Sequence, residues 1–170
     1  MGGGASGALG CQKQICALSE RNKSFDVVIL RQKSESQGVK FAICNEIFQG
    51  WKLEEAMRFA AETGYEGIEI APFTIAKDVR DIKLDARDQI RNMAESAGLA
   101  ITGLHWLLAQ TEGFHLNHPD SAVRNRTVEY LCDLVNCCAD IGGNTLVLGS
   151  PKQRNVLEGV DPKQDRKSVV

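Results

Sequence analysis

From Lys40 onward the chain alternates short apolar runs with longer segments whose apolar residues recur at helical spacing. Lys40-Phe41-Ala42-Ile43-Cys44 reads as a buried strand, and Leu53 to Thr63 as a helix with Leu53, Ala56, Met57, Ala60 and Ala61 on one stripe. Gly64 follows as the residue best able to take the left-handed conformation that closes a helix. Gly67 to Ala71 gives a second strand, ended by Pro72. A helix from about Leu84 to Ala97 then carries Leu84, Ile90, Met93, Ala94 and Ala97, and Gly98 closes it. Ala100 to Trp106 is the third strand. After a longer loop through Thr111 to Pro119, either Asp120 or Ser121 can cap a third helix by accepting from its free N–H groups. That helix, about Ala122 to Asp140, places Val123, Tyr130, Leu131, Leu134, Val135, Cys138 and Ile141 inward. Gly142 and Gly143 end it, and Thr145 to Gly149 is the fourth strand.

Strands buried on both faces and joined by helical crossovers must lie parallel, so the pattern predicts an α/β fold of about four β/α units. An open doubly wound sheet and a barrel both satisfy that order. A dinucleotide fold wants a glycine-rich phosphate loop directly after strand one, where this chain has Asn45-Glu46-Ile47-Phe48-Gln49-Gly50-Trp51. The barrel is therefore the expectation.

Residues 1–38 differ in composition, being rich in Gly, Ser, Gln and Lys, and read as a flexible extension. Residues 39–160 form the domain, and 161–170 a polar tail. With 20 basic and 22 acidic residues mixed along the chain, the net charge of -2 offers no general attraction to nucleic acid or anionic membrane. No run reaches the roughly 18 apolar residues that span a bilayer, so a cytoplasmic protein is expected. Of the six cysteines, Cys44, Cys132, Cys137 and Cys138 lie in strand-like or helix-like runs and read as buried free thiols, while Cys11 and Cys16 fall in the extension. No CxxC pair suggests a zinc ribbon or redox motif.

Four phrases then stand out in order: Ala42-Ile43-Cys44-Asn45-Glu46, Ala60 to Ile70 with its Gly64-Tyr65-Glu66-Gly67-Ile68-Glu69, Gly103-Leu104-His105-Trp106, and Leu146 to Arg154. Together they resemble the N-terminal half of xylose isomerase-like TIM-barrel proteins, among them sugar and sugar-phosphate isomerases and epimerases. The resemblance covers about residues 39–160 and implies a partial (β/α)8 TIM barrel. It also implies a divalent metal (Mn2+, Mg2+ or Zn2+) at the C-terminal rim, which spreads the charge of an enediolate while carboxylates move the proton. In the family those ligands come from strands five to eight, and none of them maps onto this sequence. Glu158 falls too early to be the strand-five glutamate. A barrel of this kind takes about 250 residues, so the expectation is a truncated chain, inactive alone, whose partner is a small sugar or sugar phosphate.

Barrel ligands sit where strands end. Asn45 and Glu46 after strand one are candidate sugar-hydroxyl partners or ordinary loop caps. Glu69 in strand two faces either the barrel mouth or a structural ion pair. His105 can hydrogen-bond a substrate oxygen, with Trp106 beside it to stack on a sugar face, or both can be packing residues. Lys152 and Arg154 follow strand four and suit a phosphate, or are simply solvated. His115 and His118 suggest a metal site but lack a third ligand. Two rival functions remain: a metal-dependent nuclease resembling endonuclease IV, with His105 and His115 as ligands, and a non-catalytic half barrel that forms homo-oligomers through its exposed sheet edges.

Overall fold

The computed structural model describes residues 38–163. The extension expected over residues 1–38, apart from its last residue, and most of the tail expected over 161–170 lie outside the described residues. Four strands, β1 (Ala42–Cys44), β2 (Gly67–Ile70), β3 (Ala100–His105) and β4 (Thr145–Val147), form one parallel sheet in the order β1-β2-β3-β4. The crossovers carry α1 (Leu53–Glu62), α2 (Leu84–Ser96) and α3 (Ser121–Asp140). A doubly wound sheet would reverse direction after its first strands and put helices on both faces. Here sequential strands are spatial neighbours, and Ile68, Ile70 and Leu104 share one core with Met57 of α1, Ile90 of α2 and Leu134 of α3. The strands do not close on themselves, so the architecture is an open portion of a singly wound barrel.

All three helices stop by the same device. Gly64, Gly98 and Gly142 take positive φ, and the N–H of the residue after each reaches back to a carbonyl in the last helical turn: Tyr65 to Ala60, Leu99 to Ala94 and Gly143 to Cys138. Asp120, rather than Ser121, is the N-cap of α3, its carboxylate accepting from Ala122 N at 2.8 Å.

Two expectations need correction. The strands are not buried on both faces: Ala42 and Thr145, which lie on the face of Glu69, are exposed. The reason is the open sheet, whose second face has no layer over it among the described residues. Leu84, expected on the inner stripe of α2, is 67% exposed in the helix's first turn.

Cys44, Cys137 and Cys138 are free thiols, the last two buried in the core. Cys132 departs from the expected set, being disulfide-bonded; it sits off the Leu134, Cys137, Cys138 stripe and is only partly covered. Burial pushes the Cys138 thiol up to about 11 and raises that of Cys137 as well. Iodoacetamide at pH 8 is therefore expected to label Cys137 and Cys138 only in denaturant, as mapped by mass spectrometry of the α3 peptide. Labelling under native conditions would contradict the packing of α3.

No helix among the described residues is long and apolar enough to cross a membrane.

Candidate functional site

The site begins with an irregularity in β3. Ile68 pairs with Ile101, but Glu69 pairs with Gly103 and Ile70 with Leu104, so Thr102 is an extra residue in the ladder. Because side chains alternate along a strand, one inserted residue flips everything after it to the opposite face. Ile101 and Leu104 consequently both lie in the helix-facing core, where strict alternation would separate them. His105 is turned to the open inner face, the face of Glu69.

There the two side chains meet. His105 Nδ1 lies 3.2 Å from Glu69 Oε2, with the side chains 27% and 21% exposed. The approach is off the N–H axis, since His105 Nδ1 makes no well-directed hydrogen bond. The contact is thus an electrostatic pairing of carboxylate and imidazole rather than an aligned bond. It holds the ring by one nitrogen and leaves the other for a second partner. Cys44 stands beside Glu69 in the register of β1 and β2. Burial raises its thiol pKa against the opposing pull of a backbone hydrogen bond at Glu46, and the Glu69 carboxylate adds to the rise, so this face carries a thiol rather than a nucleophilic thiolate.

Immediately after His105 the backbone becomes strained. Trp106 (φ 57°) and Gln110 (φ 59°) are the non-glycine residues with positive φ among those described. Such conformations persist only where the surroundings over-determine them, and they concentrate at ligand sites. The turn between them is anchored by the buried Leu107 and Leu108, and by Leu108 N donating to the buried Ser150 Oγ at 2.9 Å. Both strained residues line one cleft of about 460 Å³ at the C-terminal ends of the strands, together with Glu46, Gln49, Phe73 and Lys152. A groove of similar size between α1 and α2 lies on the outer helical layer, away from the strand ends.

The candidates read from sequence therefore separate. Glu46, Trp106 and Lys152 share the cleft. His105 and Glu69 form the adjoining pair, with the His105 and Trp106 rings 5.8 Å apart. Arg154 is exposed and not part of the cleft wall. Asn45 is 5% exposed and spends both side-chain atoms on the loop after β2, accepting from Ala71 N and donating to Thr74 Oγ1, each at 2.8 Å. Gln110, Gln49 and Ser150 were missed. A buried serine hydroxyl and a left-handed glutamine leave no trace in hydrophobic periodicity.

His115 and His118 serve the loops. His115 is 6% exposed with Nε2 3.3 Å from Asn155 Oδ1, and His118 Nδ1 accepts from Asp120 N at 3.0 Å. Among the described residues no three His, Cys, Asp or Glu side chains are close enough to hold a metal ion. His105 and Glu69 supply two neighbouring donors, short of the three or four protein ligands that such a centre takes. The described residues therefore do not complete a site for the divalent metal that the family implies.

Comparison with known proteins agrees with the topology. Searches of curated proteins and of solved structures returned no significant match. Residues 57–170, two thirds of the chain, match the family model described as xylose isomerase-like TIM barrel. With sequential parallel strands, one helical layer and strand-end polar groups already in place, the chain belongs to the xylose isomerase-like TIM barrel family.

Proposed function

We propose that this chain is a sugar or sugar-phosphate isomerase/epimerase-type protein whose described residues bind and orient a sugar without turning it over alone. The observation that carries the reading is the cleft at the strand ends, where Trp106, Glu46 and Lys152 face one space beside the Glu69 and His105 pair. Each part suits a sugar. An indole face packs on the C–H face of a pyranose or furanose, carboxylate and imidazole take hydroxyl groups, and an exposed lysine offers a point charge to a phosphate ester. A divalent metal, where a family member has one, would stabilise the charge of an enediolate. This chain's own groups can hold and place the substrate oxygens.

The test is titration of the 170-residue chain with fructose and fructose 6-phosphate, followed by tryptophan fluorescence, alongside an epimerisation assay with Mn2+ or Mg2+. The phosphate ester is expected to bind about tenfold more tightly, a difference of about 1.4 kcal/mol. Lys152→Ala is expected to abolish that difference. Binding of neither sugar, or cleavage of abasic-site DNA instead, would overturn the reading. Brisk epimerisation would overturn the claim that the chain is inactive alone.

A further inference from the structure

The loops after β3 and β4 are fastened to each other at three points under the cleft. Leu108 N donates to Ser150 Oγ at 2.9 Å, Leu116 N donates to Gln153 O at 2.8 Å, and His115 Nε2 meets Asn155 Oδ1 at 3.3 Å. The third is the one formed between two side chains at the far end of both loops. Asn155 Oδ1 can only accept, so Nε2 carries the proton and the buried Nδ1, which has no hydrogen-bond partner, is the bare nitrogen.

His115 is itself held from the other side. Its backbone N–H donates to Thr127 Oγ1 of α3 at 2.9 Å. The Thr127 hydroxyl, on a residue with 0% exposure, passes its proton on to a carbonyl, with Val123 O at 2.8 Å nearer than His115 O at 3.2 Å. His115 thus links α3, through its backbone N–H, to Asn155, through its ring, and Asn155 follows closely on Lys152 and Gln153 in the cleft wall. On the opposite wall, the Trp106 ring passes within 4.0 Å of where a side chain at Gly149 would begin.

We infer that His115 is a positioning residue for the cleft: by gripping Asn155 it fixes the loop after β4 so that Gly149 to Gln153 face Trp106 at a set distance. The consequence for a ligand rests on the sugar-binding reading above, but the positioning itself does not. A side chain that merely filled space would be replaceable by any residue of similar volume. A strut requires a donor at the position of Nε2.

Trp51 and Trp106 are the tryptophans of the chain, so Trp51→Phe leaves Trp106 as a single reporter. In that background His115→Ala is expected to raise acrylamide quenching of Trp106 roughly twofold, the loosening that follows when a site loses its supporting shell. His115→Gln, with an amide N–H that can reach Asn155, is expected to restore the parent value, whereas His115→Leu is not. Asn155→Ala should match His115→Ala, and the double variant should show no further change. Additive effects, equal rescue by Leu and Gln, or unchanged quenching in a folded variant would overturn the proposal. Should the His115 variants fail to fold, Asn155→Ala at an exposed position carries the same test. The quenching needs no bound sugar, so a failure of the strut and a failure of the sugar reading give separate results.

Discussion

Gly103→Ala is expected to cost about 3 kcal/mol or more, at the upper end of what overpacking does, and to detach β4 from the sheet. A methyl group built on Gly103 would sit 1.8 Å from the carbonyl oxygen of Thr145, 2.7 Å from its carbonyl carbon and 2.9 Å from its nitrogen. All three are backbone atoms, so no rotamer change relieves the clash. The approach is equally close at Gly143, two residues before Thr145, where a side-chain atom would fall 2.8 Å from the Gly103 Cα. Gly103, the residue after the extra Thr102, is where β3 pairs with Thr145 of β4. Since β4 leads directly to Ser150 and Lys152, its detachment should also open the cleft. Urea denaturation gives the loss in stability, and amide exchange at Leu146 and Val147 tells local detachment from global unfolding. Gly149→Ala is the control, since its added methyl would meet Trp106 at an ordinary 4.0 Å. Equal midpoints for the two variants would show that β3 and β4 do not pack this tightly.

The same residue marks the boundary of what the sequence makes legible. Helix spans came through to within a residue or two because periodicity and a terminal glycine act locally: the stripe of Ala56, Met57 and Ala60 and the stop at Gly64 need no tertiary information. Parallel strand direction followed from the helical crossovers. The pairing of His105 with Glu69 did not follow, because it depends on a bulge. Simple alternation puts His105 on the face of Ile101, and only the extra Thr102 moves it across. A glycine inside a strand is a hint of a bulge or of close backbone approach, and Gly103 turns out to mark both. The strained turn from Trp106 to Gln110 was invisible for another reason. Neither residue favours positive φ, so that conformation is imposed by Leu107, Leu108 and Ser150 rather than by local preference. Lys152 and Arg154 illustrate the limit for loops: two cations separated by one residue look equivalent in sequence, yet the turn at Pro151–Gln153 leaves Lys152 alone in the cleft wall.

Asn45→Ala is expected to lower stability by about 2 to 3 kcal/mol, because it orphans a buried donor as well as removing packing. Asn45 Oδ1 is the acceptor for the N–H of Ala71, a residue with 0% exposure, and Nδ2 donates to Thr74 Oγ1, which in turn donates to Ala71 O at 2.7 Å. This closed relay ties the end of β1 to the turn Pro72–Thr74 after β2, the turn that places Phe73 in the cleft. Without the asparagine, the Ala71 N–H loses its acceptor, and the turn loses its tether to β1. Asn45→Asp keeps the acceptor while losing the donor, so a smaller loss is expected. Thermal or urea midpoints read the stability, and the sugar titration reads the site. A residue that served a sugar hydroxyl would weaken binding with its midpoint unmoved. A tether moves the midpoint first, and changes binding only as far as Phe73 shifts. The buried two-bond geometry of Asn45 predicts the second pattern, whereas Glu46, one residue on and in the cleft wall, is placed to give the first.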